Sequence, residues 1–314
     1  MIAFGPVPSR RLGRSLGINN IPPKVCSYAC VYCQLGRAIK MDSERRPFYE
    51  PHTVFDSVLN KVAVSRSAGE PIDYIAFVPD GEPSLDINLG KEIELLRELE
   101  IKIAIITNAS LVWREDVRRD LMSADWVSLK VDSLEEKRWR RIDRPHKHLR
   151  FESILEGMRI FAQEYQGELA TETMLVQGFN DEPDDLCKIA DFLVDLGPKC
   201  SYLSIPTRPP AMKGIKAPGE DGINRAYQIF HDIIGERVEY LIGYEGNDFA
   251  CTGDAIQDLL SITSVHPMRE DALDRYLERS NASWDDVRRL ILENLMIETQ
   301  YSGQKFFMRR LSEK

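Results

Sequence analysis

Cys26-Ser-Tyr-Ala-Cys30-Val-Tyr-Cys33 is the stretch whose reading decides the fold. Its cysteines fall in a C-x3-C-x2-C pattern. Three thiolates on one short loop favour a soft metal site, and an iron–sulfur cube suits them. A closed cube takes four protein ligands. Three leave one iron open, which makes the cluster a reagent and not only an electron relay. Zinc sites more often use two C-x2-C pairs, and the chain has no second pair. A zinc knuckle or a buried cysteine trio is the plainer alternative.

Outward from that loop, apolar runs alternate with helical patterns. Strands are expected near Ser15–Asn19, then at 72–78, 102–107, 126–131, 170–176, 201–205 and 238–242. Phe151, Ile154, Leu155, Met158 and Phe161 recur at helical spacing, as do Leu186, Ile189, Ala190, Leu193 and Leu196. Gly197-Pro198 stops the second helix. Strands alternating with helices imply βαβ units and a parallel sheet, either open and doubly wound or curled into a barrel. After residue 250 the pattern changes. A short helix or connector at 256–264, helices at 270–278 and 284–293, and a hairpin over 295–309 suggest a small winged-helix-like α+β module. The expected domains are 1–250 and 265–314, joined by 251–264.

Net charge is −9, which argues against non-specific nucleic-acid binding. The charge is uneven. Lys137 to Arg150 holds seven Lys or Arg and one acid, Asp143, with His146 and His148 alongside. The tail is basic at Lys305, Arg309, Arg310 and Lys314. A solvated helix face is the simplest account of the first run. No stretch of the sequence is long and apolar enough to span a membrane. Met1-Ile-Ala-Phe-Gly-Pro lacks a charged-then-apolar leader, so no secretory signal is expected. A cytoplasmic location follows, and it suits reduced thiols.

At Cys26, Cys30 and Cys33, with Tyr32 as the aromatic residue before the last cysteine, the chain resembles the radical S-adenosylmethionine (radical SAM) superfamily. The Pro8-Ser-Arg-Arg-Leu-Gly-Arg-Ser-Leu-Gly17 stretch, with Arg10, Arg11 and Arg14 ahead of the first expected strand, resembles a subgroup loosely related to the wyosine-forming tRNA enzymes. The resemblance implies a partial (βα)6 barrel with the cysteine loop after its first strand. It implies a [4Fe-4S] cluster on Cys26, Cys30 and Cys33 that cleaves SAM reductively, so that a hydrogen atom is taken from a substrate. An electron donor such as flavodoxin or ferredoxin is implied too.

The same resemblance assigns candidate cofactor residues. Phe77-Val-Pro-Asp80-Gly81-Glu82-Pro83 matches the family's Gly-Gly-Glu segment at Gly81 and Glu82, which would receive the SAM ammonium; Asp80 stands where the first glycine is usual. Thr107-Asn108 resembles a Thr-Asn-Gly segment, with Ala109 in the glycine's place; Asn108 could instead cap a helix. Ser128, Lys130 and Asp132 alternate onto one face of the fourth strand, suited to a ribose or methionine carboxylate. A buried Lys130 needs a partner, Asp132 or that carboxylate. Arg144, held extended before Pro145, is a further candidate for SAM or substrate. Glu172 and Met174 are expected to share one cavity. After Thr207, Arg208 is placed to recognise an anionic substrate, or a surface acid.

Cys187, Cys200 and Cys251 are scattered and read as small buried hydrophobes, with an auxiliary cluster as the alternative. Tyr244-Glu245-Gly246-Asn247-Asp248 is expected near the barrel floor or pocket, and His266 is expected to be structural. The substrate stays open between a tRNA base, a protein side chain and a small molecule. The competing function is an iron–sulfur sensor that reads DNA through the C-terminal module without SAM chemistry.

Overall fold

The computed structural model describes residues 2–36, 40–242, 249, 254–265 and 267–310. In chain order its sheet strands begin with β1 (Ala3–Ser9) and β2 (Gly13–Ile18), and the cysteine loop carries the two-residue strands β3 (Val25–Cys26) and β4 (Lys40–Met41). There follow β5 (Tyr74–Phe77), β6 (Lys102–Thr107), β7 (Trp126–Lys130), β8 (Glu168–Met174), β9 (Cys200–Ser204) and β10 (Val238–Leu241). Between them run α1 (Pro51–Ser67), α2 (Leu89–Leu96), α3 (Glu115–Leu121), α4 (Glu136–Ile142), α5 (Phe151–Glu164), α6 (Pro183–Leu196) and α7 (Glu220–Ile234). One sheet has the order β1-β2-β5-β6-β7-β8-β9-β10. Every neighbouring pair from β2 onward is parallel, and β1 is antiparallel to β2. The sheet curls into the half-barrel expected from the sequence.

The seven expected strands are all present. The sequence reading missed β1, because Ala3-Phe-Gly-Pro-Val-Pro-Ser carries two prolines that remove backbone donors. They are tolerated because β1 is the sheet edge, with an irregularity in its pairing between Phe4 and Val7. Arg10 and Arg11 therefore sit in the β1–β2 turn and Arg14 within β2, not ahead of the first strand. Phe4 lies over Gly17, its partner in register; a Cβ there would come 2.0 Å from the ring.

Alternation sorts the side chains of each strand. Ile75, Phe77, Ile103, Ile105, Val127, Leu129, Leu169 and Leu203 face the helices and join the main core. Ala76, Ala104, Trp126, Ala170, Tyr202 and Leu241 face inward with Leu12. Trp126 and Tyr202 sit beside three alanines in the floor, a pairing of large and small residues. The same inward parity carries Ser128 and Lys130, Glu172 and Met174, and Ser204 upward to the strands' C-terminal ends. The helix ends follow local chemistry: Gly197 closes α6 in the left-handed region (φ 57), its N–H bonding to Leu193 O at 3.0 Å.

The C-terminal part runs α8 (Ala255–Val265), β11 (Met268–Arg269), α9 (Glu270–Arg279), α10 (Trp284–Leu292), β12 (Met296–Tyr301) and β13 (Gln304–Arg309). Its sheet order is β11-β13-β12. α8 spans most of the stretch read as a connector. It shares a core with Phe4 and Val7 of β1, together with Leu259, Ile262, Leu273, Tyr276 and Phe307. Across the half-barrel mouth the Tyr301 hydroxyl donates to Pro206 O at 3.1 Å. No helix among the described residues is long and apolar enough to cross a membrane. Cys251, Tyr244, Glu245, Gly246, Asn247, Asp248, His266 and Lys314 lie outside the described residues.

Candidate active site

A cavity of about 320 Å³ opens at the C-terminal ends of the parallel strands, where half-barrel and barrel enzymes place their chemistry. Cys26, Cys30 and Cys33 all line it, with Tyr32, Gly81, Glu82, Thr107, Asn108, Lys130 and Arg11. β3 and β4 pin the start of the cysteine loop, and Asp42 N–H bonds to Cys26 O at 3.1 Å. Burial pushes all three thiols up, Cys26 to about 12.

Glu82 sits in the loop after β5. Its buried carboxylate accepts from Ser84 N (3.0 Å), Ser84 Oγ (2.5 Å), Thr107 Oγ1 (2.6 Å) and Asn108 N (2.7 Å). The acid therefore stitches the loop after β5 to the end of β6. Burial raises its pKa, and those donors restrain the rise. Gly81 is set by backbone proximity: a Cβ would lie 1.9 Å from Val25 O. Asn108 Nδ2 donates to Ser27 Oγ at 2.9 Å and lies 3.6 Å from Cys26 Sγ. Its Oδ1 accepts from Ser110 N at 2.9 Å, and Ala109 takes the left-handed region (φ 60). A glycine would occupy that turn without strain.

Lys130 and Glu172 are paired in register on β7 and β8. Lys130 Nζ lies 2.9 Å from Glu172 Oε1 and 3.9 Å from Asp132 Oδ1, over the Tyr32 ring at 4.9 Å. Burial alone would lower the lysine's pKa, but Asp132 and Glu172 raise it above the ordinary value and hold it cationic. Asp132 itself lies behind Lys130, hydrogen-bonded by the Tyr32 hydroxyl and by Met174 N at 2.7 Å. Ser128 is fully buried. Neither Ser128 nor Asp132 is among the residues lining the cavity.

Arg144 departs from expectation. Its backbone is in the left-handed region (φ 48) instead of extended, and its side chain is exposed and absent from the cavity lining. The bend serves the cysteine loop: Ala29 N–H reaches the carbonyls of Asp143 (3.0 Å) and Arg144 (3.2 Å), and Tyr28 bridges Pro145. Asp143 is the residue the sequence reading passed over. It accepts from Cys30 Sγ at 3.3 Å and from the Tyr32 hydroxyl at 3.2 Å. Its signal was being the one acid in the basic run from Lys137 to Arg150. Two of the run's arginines have acid partners outside the cavity, Arg138 on the buried Asp185 at 2.8 Å and Arg140 on the exposed Glu136 at 2.6 Å. Cys187 lies on α6; Cys200 opens β9, at the strand end away from the cavity.

Among the described residues no three Cys, His, Asp or Glu side chains form a group that could hold a metal ion. A cube does not require that, because each thiolate binds a different iron. Three cysteines of one loop facing one cavity, with an amide donor beside a sulfur, are a donor set that fits a cluster and leaves one corner to a small molecule.

A three-cysteine loop after the first strand of a parallel half-barrel defines a class of protein. The Radical SAM superfamily model matches residues 20–193, and the chain belongs to that family. It is an enzyme class that uses a [4Fe-4S] cluster and SAM, and this displaces the reading as a sensor without SAM chemistry. The chain is 50% identical over 314 residues, all of this chain and 97% of the relative, to the UPF0026 protein MJ1312 of Methanocaldococcus jannaschii. A radical SAM methyltransferase from Sphaerobacter thermophilus shares the fold with a TM-score of 0.57 at 16% identity, over 73% of this chain and 66% of that one. A structure of TYW1 with a lysine-pyruvate adduct bound does so with a TM-score of 0.55 at 19% identity, over 70% of this chain and 73% of that one.

Proposed function

We propose that Cys26, Cys30 and Cys33 bind three irons of the cluster, and that SAM lies in the cavity between them and the ends of β5, β6 and β7. The observation that carries this is the convergence of the cysteine loop, Glu82, Thr107, Asn108 and Lys130 on one cavity wall. A cluster held by Cys26, Cys30 and Cys33 would supply the electron for reductive cleavage of SAM. The chain's own groups position and shield. Glu82 fixes the Asn108 backbone beside Gly81 on the cavity wall, where polar backbone groups would receive the amino-acid part of SAM. Asn108 offers its side-chain amide to the Cys26 sulfur, and hydrogen bonds of this kind tune a cluster's potential. Lys130 presents a fixed positive charge suited to a carboxylate. Asp132 and Tyr32 hold that lysine in place. The small C-terminal unit, read as winged-helix-like from its helix–strand–helix–helix–strand–strand order, shields the edge strand β1.

The test is anaerobic reconstitution with iron and sulfide, followed by dithionite and SAM. Formation of 5′-deoxyadenosine by the wild-type chain, and its loss in C26A, C30A and C33A, is expected. Zinc or no metal on the reconstituted protein would overturn the assignment.

A further inference from the structure

The basic run from Lys137 to Arg150 takes no part in the cavity, yet it lies directly against the cysteine loop. Residues 142–146 run alongside residues 27–31. Val31 N–H bonds to Ile142 O at 2.9 Å, Ala29 N–H to the carbonyls of Asp143 (3.0 Å) and Arg144 (3.2 Å), and His146 N–H to Ser27 O at 2.8 Å. Tyr28 packs edge-on against Trp139 of α4, and its hydroxyl accepts from the Trp139 indole at 3.0 Å. The run's cations are turned to solvent. Lys137, Arg140, Arg141, Arg144, Lys147 and Arg150 are exposed, while Asp143, the acid among them, is 2% exposed. Asp42 and Glu44 of the neighbouring loop border the run beside His146, and Asp42 is itself paired with Arg46 at 3.1 Å. None of those six cations lines the cavity that holds the cysteines. Nor do they line a second cavity of about 290 Å³, whose wall includes Arg10, Arg11, Lys130 and Arg208.

Two physical requirements meet on this face. Resting on the reading above, a cluster on the three cysteines needs one electron for each SAM cleaved, and electron transfer slows steeply with distance. From the surface at Arg144, one hydrogen bond leads to Ala29 N, next to Cys30 in the chain. The second requirement is charge. The chain carries −9 overall, so a local group of exposed cations orients an acidic partner that the rest of the surface repels. Complementary patches of this kind set orientation and encounter rate more than affinity. We propose that the face formed by Lys137, Arg140, Arg141, Arg144, Lys147 and Arg150 docks the electron donor, an acidic one-electron carrier protein, against the back of the cysteine loop. The donor is oxidised by one electron and the cluster is reduced by one. A polynucleotide is also negative, but a substrate must put its reacting atom inside the cavity, and these residues do not line it. A donor needs only to come close to the cysteines.

The experiment uses the anaerobically reconstituted full chain and two probes, flavodoxin and tRNA. Stopped-flow absorbance follows reduction of the cluster by flavodoxin hydroquinone, and titration with oxidised flavodoxin at low and high salt reads binding. R144E/K147E is expected to slow the reduction and weaken the binding by about tenfold at low salt, with the difference closing at high salt. R144Q/K147Q should show a smaller loss, and thermal melting confirms that both fold. K102E/K199E makes the same change in charge at the opposite end of the sheet, beside the starts of β6 and β9, and is expected to match wild type. Formation of 5′-deoxyadenosine with dithionite, which needs no docking, is expected to be the same in all four proteins. Wild-type reduction by flavodoxin in R144E/K147E overturns the inference, and so does an equal loss in K102E/K199E. It also falls if flavodoxin does not reduce the wild-type cluster, or if the face variants lose tRNA binding and keep flavodoxin reduction. Reduction through this face with no 5′-deoxyadenosine from either reductant sinks the radical reading and leaves the docking face standing.

Discussion

Gly81→Ala puts the coupling between the cofactor loops under direct test. A Cβ at this position would sit 1.9 Å from Val25 O, 2.8 Å from Val25 C and 2.8 Å from Ile21 Cδ1. Ordinary carbon–oxygen contact is about 3.3 Å, so one backbone must retreat by roughly 1.4 Å. Neither side can yield cheaply. Val25 O also accepts the Glu82 N–H at 3.2 Å, and Val25 leads directly into Cys26. Overpacking of this kind costs about 1–3 kcal/mol, and the lost hydrogen bond roughly another 1 kcal/mol. For a chain of this length, about 2 °C of Tm per kcal/mol gives a fall of roughly 4–8 °C. Thermal melting of the metal-free protein reads the stability. Anaerobic iron and sulfide analysis reads the displacement of Cys26, and iron per chain is expected to fall. Gly219→Ala is the control, because nothing lies within 4 Å of its Cβ and its φ is −66. If Gly81→Ala melts with wild type and loads the same iron, the claim that Gly81 holds the cysteine loop is wrong.

Three further outcomes follow from the same geometry. Glu82→Gln keeps the shape but turns one acceptor into a donor facing Asn108 N or the Thr107 and Ser84 donors, so urea unfolding should show a loss of about 1–3 kcal/mol; unchanged stability would mean the acid does not tie β5 to β6. Glu92, 1% exposed on α2, is pushed up by burial, with Asp86 beside it, to about 9 from 4.5. Between those values the folded chain keeps a proton that the unfolded chain has released, so this residue makes stability fall as pH rises, by up to about 1.4 kcal/mol per unit. The advantage of Glu92→Gln over wild type should therefore grow through that window and be flat below it; a constant difference would refute the assignment. Lys130→Met strips Asp132 of its cation and leaves Glu172 only Arg11, and a loss of about 3 kcal/mol is expected in denaturant titration; wild-type stability would show that the lysine is not the keystone of that cluster.

Much of the fold was legible along the chain. Seven strands and the α5 and α6 helices follow from local periodicity, because alternation and 3.6-residue spacing record which face meets the core. The exception is β1, where prolines mask strand character that the sheet edge tolerates. The cysteine loop and Gly81-Glu82 were legible because short motifs carry their own chemistry. What Glu82 does was not: its donors on Thr107 and Asn108 come from another strand.

Sequence alone determined the three thiols, the alternating βα order and the inward parity of Lys130, Glu172 and Met174, all of which depend on residues near one another in the chain. Tertiary structure decided the rest. It removed Arg144 from the cavity, brought Asp143 to Cys30, and placed Arg11 against Glu172, 161 residues away. It also joined Arg10, Arg11, Lys130 and Arg208 on one wall. The physical reason is range: backbone conformation and face follow from local sterics and periodicity, whereas charge neutralisation in a cavity depends on which distant loops the curled sheet brings together.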